Sequence, residues 1–233
     1  IQAIKRGDKV VAAVAPAFVS QFGENVTSSQ MREAMRQVGF HKVIEVAVGA
    51  DMCTAEEAED FLKKVPAEQP FMATSCCPSW SVMAKKLFPQ FKDYISMAMT
   101  PMVLTARLYK KDHPDVRIVF IGPCTAKKLE ASRRTIRSDV DFVLTFEEMQ
   151  GIFDAKGIVP SEMPVDPEEE FSTGTSLGRG FAVTGGVANA VKEAIKEIDP
   201  DREVKIERAD GLRECRKMLM MAKAGKYNGY LLE

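Results

Sequence analysis

The sequence predicts an α/β fold of two lobes, each built on a mostly parallel β-sheet flanked by helices, with a cofactor cleft between them. Three observations carry this prediction. Short β-rich runs alternate with amphipathic stretches of helical period, the pattern of parallel β–α–β units. The 233 residues are enough for one large or two small domains with real cores. The second half of the chain repeats the strand-then-helix order of the first. The lobe boundary is placed near residue 115, giving 1–115 and 116–233.

In order along the chain, residues 9–14 (Lys9-Val10-Val11-Ala12-Ala13-Val14) read as the first strand, ending at Ala15-Pro16-Ala17. A helix over 28–38 carries Met31, Ala34, Met35 and Val38 on one face, and Gly39 stands where a C-terminal cap belongs. Residues 43–46 read as a second strand. Thr54 with Glu57 has capping-box spacing and is expected to open a helix that Pro66 ends. Phe71-Met72-Ala73 reads as a short third strand running into Thr74-Ser75-Cys76-Cys77-Pro78, and Pro78 suits the first position of the next helix. A further helix starts at Pro101 and stops before His113-Pro114.

The strand at 117–121 delivers Gly122-Pro123-Cys124, and a strand at 141–144 leads into a Thr145/Glu148 capping box. Residues 159–176, rich in Pro, Glu, Ser and Gly, read as a loop. Then come a strand over 179–183 ending in Thr184-Gly185-Gly186, a helix through Ile198, a strand over 204–208, a helix over 211–224 and a last strand over 227–232.

Composition excludes several classes. A formal net charge of −1 favours neither nucleic acid nor an anionic membrane. No apolar run approaches the roughly 20 residues of a membrane span, and the first residues lack the regions of a signal peptide. Five cysteines (Cys53, Cys76, Cys77, Cys124, Cys215) are odd in number and scattered. They make a poor disulfide framework and fit a reducing, cytoplasmic compartment. The two histidines, His41 and His113, fall at a turn and a helix end and read as surface residues.

The chemistry lies in two cysteine sites just beyond strand ends, Cys76-Cys77 and Cys124. Ligands gather at the carboxyl ends of parallel strands, and the helix start that follows each site favours negative charge and hence thiolate. Adjacent side chains diverge, so one thiolate of the pair is expected to bind metal while the other stays free for proton transfer. Lys127 lies about one helical turn after Cys124, where its cation can face a negatively charged cofactor, and Glu130 can share that face. The alternative is a solvated Lys127-Lys128 pair. Cys53 and Cys215 read as packing residues.

At these residues the sequence resembles a known family. Thr74-Ser75-Cys76-Cys77-Pro78-Ser79-Trp80 is similar to the TSCCPxW signature of iron-only ([FeFe]) hydrogenases, and residues 122–130 (GPCTAKKLE) are similar to their MPCxxKxxE signature. Agreement continues at Ala15-Pro16-Ala17, Gly49-Ala50-Asp51, Glu56-Glu57-Ala58 and 181–186, so it spans nearly the whole chain. The resemblance implies an H-cluster, a [4Fe-4S] cubane joined through a cysteine to a diiron centre with CO, cyanide and dithiolate ligands. By matching position, Cys77 and Cys124 would ligate the cubane, Cys76 would pass protons, and Lys127 would hold a cyanide. Ala15, Pro16 and Ser75 would lie close to the diiron ligands, with Phe181 in the surrounding shell. Ser96, Glu130 and Asp60 would form the proton relay, Asp60 standing where a glutamate is usual. The implied reaction is reversible oxidation of H2 to protons and electrons, exchanged with a ferredoxin or another iron–sulfur carrier.

Some positions depart from the pattern. Gly122 replaces the methionine usual before Pro-Cys, and Met102 stands where glutamine is common; both suggest a divergent branch. The third signature, Cys-x3-Cys, would follow Glu233 and supply the remaining cubane ligands, so the chain is expected to be an inactive fragment. The alternative function is a non-catalytic, hydrogenase-like iron–sulfur protein of assembly or sensing. Assembly proteins share the Pro-Cys-x-x-Lys-Lys-Leu-Glu stretch but generally lack the first cysteine of the pair, so Cys76 argues for hydrogenase. A dinucleotide-binding fold has only Gly185-Gly186 in its favour, without GxGxxG.

Overall fold

A computed structural model describes residues 1–166 and 174–233. Its strands are β1 (Val10–Val14), β2 (Lys42–Glu45), β3 (Phe71–Ala73), β4 (Arg117–Gly122), β5 (Phe142–Thr145), β6 (Lys205–Glu207) and β7 (Tyr230–Leu232). The helices are α1 (Gln2–Lys5), α2 (Ser28–Val38), α3 (Ala47–Lys64), α4 (Pro78–Leu87), α5 (Pro101–Asp112), α6 (Ala126–Ala131), α7 (Phe146–Lys156), α8 (Ser176–Gly180), α9 (Gly186–Ile198) and α10 (Gly211–Lys223). Among the described residues, no helix is long and apolar enough to cross a membrane.

The chain divides into two units, residues 1–49 with 101–175, and residues 50–100 with 176–233. The first holds a parallel sheet in the order β2-β1-β4-β5. Every residue of β1 is buried, as a central strand covered on both faces requires. Its core joins Val11, Val14, Ile118 and Ile121 from the strands to Met31 and Met35 of α2 and Met149 and Phe153 of α7. Helix α2 opens with a capping box between Thr27 and Gln30 and ends at Gly39, whose φ of 113° is left-handed. Thr145 and Glu148 form the expected box at the start of α7.

The second unit holds the parallel sheet β3-β7-β6. On it pack Trp80 and Ala84 of α4 with Met218 and Leu219 of α10. A further cluster packs Phe61 of α3 with Val191 and Ile195 of α9 against Met72 and Leu231.

Two parallel-sheet lobes are therefore present, but the division at residue 115 needs correction. β1 pairs along its whole length with β4, Val10 opposite Arg117 and Val14 opposite Ile121. Pairing of strands distant in sequence thus places residues from both expected lobes in one sheet.

Two local expectations also differ. Thr54 does not open a helix: α3 begins at Ala47, and the Thr54 hydroxyl donates back to the Ala50 carbonyl at 2.9 Å. Threonine bonds this way inside helices, so its spacing to Glu57 imitates a cap. Gly49, inside this helix, allows a close approach, since a Cβ there would lie 2.3 Å from Thr105 Oγ1 and 2.4 Å from the Pro101 carbonyl oxygen. Residues 179–183 are not a strand. Phe181, Ala182 and Val183 donate to the carbonyls of Gly178, Arg179 and Gly180 in successive tight turns after α8, and Val183 is 65% exposed. With several glycines present, the segment coils rather than joins a sheet. The loop expected over 159–176 includes residues 167–173, which lie outside the described residues; Pro160–Glu162 forms a 3-10 turn.

Gly186, at the first turn of α9, packs directly on the backbone of Gly180. A Cβ there would stand 1.8 Å from the Gly180 carbonyl oxygen. Gly186→Ala is expected to destabilise the protein by about 1–3 kcal/mol through overpacking, although alanine is the better helix former. Thermal unfolding checks the sign, and a stabilised variant would refute this close contact.

Candidate functional site

Both cysteine sites emerge from strand ends, as expected. In the second unit β3 stops at Ala73, and Thr74 is fixed by its N–H to the Leu232 carbonyl (3.0 Å) and by Trp80 Nε1 donating to its own carbonyl (2.9 Å). The Trp80 contact explains the tryptophan of the motif: it ties the first turn of α4 back to the strand end. Cys76 follows half-buried, and Cys77 is exposed as the extended N-cap residue of α4, with Pro78 at the first helical position. Cys76 and Cys77 line a pocket of about 330 Å3 together with Thr74, Trp80, Cys215 and Glu233.

Cys215, expected as a packing residue, packs on the α4/α10 core and also faces this pocket. Burial raises its pKa, with a contribution from Cys77 across the pocket. The Glu233 carboxylate accepts from the Ala188 N–H at 2.9 Å and so caps α9, whose N-cap residue Gly185 has no side chain to do so. Burial also raises the Glu233 pKa, opposed by these backbone donors. Cys53 is fully buried in α3, as a packing residue would be, but lies inside the helix rather than beside its start.

One group here was read from the sequence only as a cap partner and a point of family agreement, not as a site residue. Glu57 is fully buried, and its Oε1 accepts from the Ser75 N–H at 3.3 Å. Burial lifts its pKa from 4.5 to about 7 despite the opposing influence of Ser96 and the Ser75 N–H. The Ser96 hydroxyl is close enough to favour the carboxylate, yet Oε2 has no partner of hydrogen-bonding geometry among the described residues. Ser96 is itself buried; its Oγ accepts from the Ala98 N–H at 3.2 Å, and Ser75 Oγ donates to the Ala98 carbonyl at 3.4 Å. One turn further along α3, Asp60 pairs with Lys64 at 2.6 Å, each side chain about a third exposed. A signal for Glu57 existed: Cys53, Glu57 and Phe61 repeat every four residues on one helix face, and all are fully buried. A carboxylate inside such a stripe is expensive to leave charged.

In the first unit β1 ends at Val14; the N–H of the next residue, Ala15, donates to the Ile121 carbonyl at 2.8 Å, and Pro16 begins a 3-10 turn. β4 ends at Gly122 and delivers Pro123 and the half-buried Cys124. The Cys124 carbonyl accepts from the Lys127 N–H at 3.2 Å, so the loop enters α6 in one turn. Lys127 Nζ pairs with Glu130 Oε2 at 2.7 Å, with only 12% and 2% of the two side chains exposed. This fixes Lys127 as a largely buried cation, unlike Lys128, which pairs with Glu148 at the surface. Glu130 is thereby an ion-pair partner of Lys127. Gly122 is accounted for by its neighbour: a Cβ would lie 2.5 Å from the Phe120 ring, which fills the space a larger residue would take.

The remaining expected site residue, Phe181, lies in the turns after α8. His41 and His113 are exposed, as expected. Among the described residues, no group of three or more His, Cys, Asp or Glu side chains is arranged to hold a metal ion. In kind, the donors suit an iron–sulfur group: soft thiols at strand ends, with a buried cation beside one of them.

Two parallel α/β units, each with cysteines just beyond a strand end, define the class of fold. The chain belongs to the family described as iron only hydrogenase large subunit, C-terminal domain, matching it over residues 8–233. It is 31% identical to iron hydrogenase 1 of Clostridium pasteurianum, over 94% of this chain and 41% of that protein. It is also 26% identical to a probable cytosolic Fe-S cluster assembly factor of Aedes aegypti, over 91% of this chain and 54% of that protein. A variant of the [FeFe]-hydrogenase HydA1 from Chlamydomonas reinhardtii shares the fold, with a TM-score of 0.77 at 23% identity, covering 97% of this chain and 76% of that one. The chain thus spans about half the length of the curated relatives it matches.

Proposed function

We propose that this chain forms most of the catalytic domain of an [FeFe] hydrogenase, which interconverts H2 with protons and electrons. The observation that carries the reading is Glu57, a buried carboxyl with a pKa near neutrality, bonded to the backbone of Ser75 beside the half-buried thiol of Cys76. A proton-transfer group is most effective when its pKa lies near the working pH.

In this reading Cys77 and Cys124 supply two thiolates of a [4Fe-4S] cubane that normally takes four, the others coming from a Cys-x3-Cys segment. When bound, the diiron part with its CO, cyanide and dithiolate ligands supplies the redox chemistry at H2. Lys127, held by Glu130, would donate a charge-assisted hydrogen bond to an anionic cyanide. By the resemblance, Ala15, Pro16 and Ser75 would lie close to these ligands, with Phe181 in the surrounding shell. Cys76 would give or take the proton rather than serve as a ligand. From it protons would move through Glu57 and Ser96 towards the part-exposed Asp60, Glu57 taking the relay place expected of Glu130, whose carboxylate pairs with Lys127. Electrons pass to a ferredoxin or another iron–sulfur carrier, in the cytoplasm.

The second reading is a non-catalytic iron–sulfur protein of assembly or sensing, favoured by the likeness to the Aedes aegypti assembly factor. Infrared spectra of the matured, full-length protein separate the two. Bands of bound CO and cyanide are expected; a cubane signature without them would replace the hydrogenase reading with the second.

A further inference from the structure

We propose that Cys77 and Cys215 form a reversible disulfide in the cluster-free protein, a peroxide-driven modification that withdraws Cys77 from iron until a thiol reductant frees it. The disulfide itself stands on the structure of the second unit. Its consequence for iron rests on the reading of Cys77 as a cubane ligand given above.

Topology brings the two cysteines together. β3 and β6 both pair in parallel with β7, so they run in the same direction. α4 follows β3 and α10 follows β6, and both helices therefore start at the same end of the sheet. They share one core, in which Trp80 and Ala84 of α4 meet Met218 and Leu219 of α10. Cys77 precedes Trp80, and Cys215 precedes Met218, by about one helical turn towards that end. Both line the pocket of about 330 Å3 found there. Burial raises the Cys215 pKa and the charge at Cys77 adds to it, so the two side chains lie within electrostatic reach.

The choice of pair follows from local geometry. Cys76 and Cys77 are consecutive, and a bond between them would close a small, strained ring. Cys77 is exposed and makes no side-chain capping bond at the start of α4, so it is free to turn and meets an oxidant first. Cys215 is half-buried, held only by a weak S–H donation to the Ala209 carbonyl at 3.6 Å.

In the first step the Cys77 thiolate attacks hydrogen peroxide, the O–O bond breaks, and a sulfenic acid and water form. The Cys215 thiolate then attacks the Cys77 sulfur, the S–O bond breaks, and a second water leaves. The two thiols lose two electrons and two protons, which reduce the peroxide to water. A dithiol reverses the bond by exchange. Without Cys215 the sulfenic acid stays open to irreversible oxidation to sulfinic acid.

The test uses the full-length, cluster-free protein, treated with hydrogen peroxide, quenched by alkylation and mapped by mass spectrometry after proteolysis. The wild type is expected to yield peptides joined through Cys77 and Cys215, and to lose the link in dithiothreitol. Cys215→Ser is expected to lose the link and carry Cys77 as sulfinic acid, with thermal unfolding of the reduced protein unchanged. A [4Fe-4S]-loaded scaffold protein, without added thiol or sulfide, should pass its cluster to the reduced wild type and not to the oxidised one. A link from Cys76 to either other cysteine in its place, or oxygen adducts on wild-type Cys77 with no link, would overturn the proposal. Equal cluster uptake by the oxidised and reduced proteins would overturn its consequence for iron. Because the link is read without a cluster, it can fail while the CO and cyanide bands stand, or form while they are missing.

Discussion

Cys76→Ala is expected to lower H2 turnover of the matured, full-length protein by about 10²–10⁴-fold, the usual range for removing a positioned acid–base group. The infrared bands of CO and cyanide and the iron content should survive. The thiol is half-buried in the pocket wall, one residue from Ser75, whose N–H is held by the Glu57 carboxylate. Removing it breaks the proposed proton route and leaves the proposed ligand Cys77 in place as the N-cap of α4. Cys76→Ser should be nearly as impaired, because a hydroxyl gives up its proton far less readily than a thiol. Loss of iron together with activity would instead make Cys76 a ligand, and unchanged turnover would remove it from the proton path.

Glu57→Gln is expected to abolish a pH dependence of stability. Burial raises the pKa of this carboxyl in the folded protein from 4.5 to about 7. Below the unfolded value the group is protonated in both states and costs nothing. As pH rises through the folded value, the unfolded chain releases its proton more easily and stability falls. The full difference, reached above neutrality, is about 3 kcal/mol. The amide cannot titrate, and its oxygen can still accept from the Ser75 N–H. Chemical denaturation of the two proteins from pH 4 to pH 8 should therefore give curves that diverge with rising pH, the variant gaining. Parallel curves would mean that Glu57 titrates near its ordinary value. In the matured protein the same change should slow turnover while leaving the cluster spectra intact, since the glutamine can neither give nor take a proton.

Much of the site was legible locally. The run from Thr74 to Trp80 placed thiols at a strand end, and the helix start at Pro78 followed from proline's fixed φ. Gly39 and the Thr145/Glu148 pair marked helix termini correctly, because a cap depends only on residues three or four apart. The same locality explains the misses. Thr54 and Glu57 have the spacing of a cap, and only the preceding turn of helix from Ala47 shows that Thr54 lies inside one. Residues 179–183 have a strand-like apolar run, yet no neighbouring strand accepts it and the chain coils on its glycines. Lys127 looked equally suited to solvent, until the buried Glu130 carboxylate paired with it.

Read alone, the sequence determined the alternation of strands and helices, their caps, and which thiols stand at strand ends, since these depend on windows of about ten residues. Tertiary structure alone decided that β1 lies beside β4, that Glu57 loses water, and that the Phe120 ring fills the space beside Gly122. Strand pairing, desolvation and close packing are set by residues far apart in the chain, and no local pattern encodes which of them will meet.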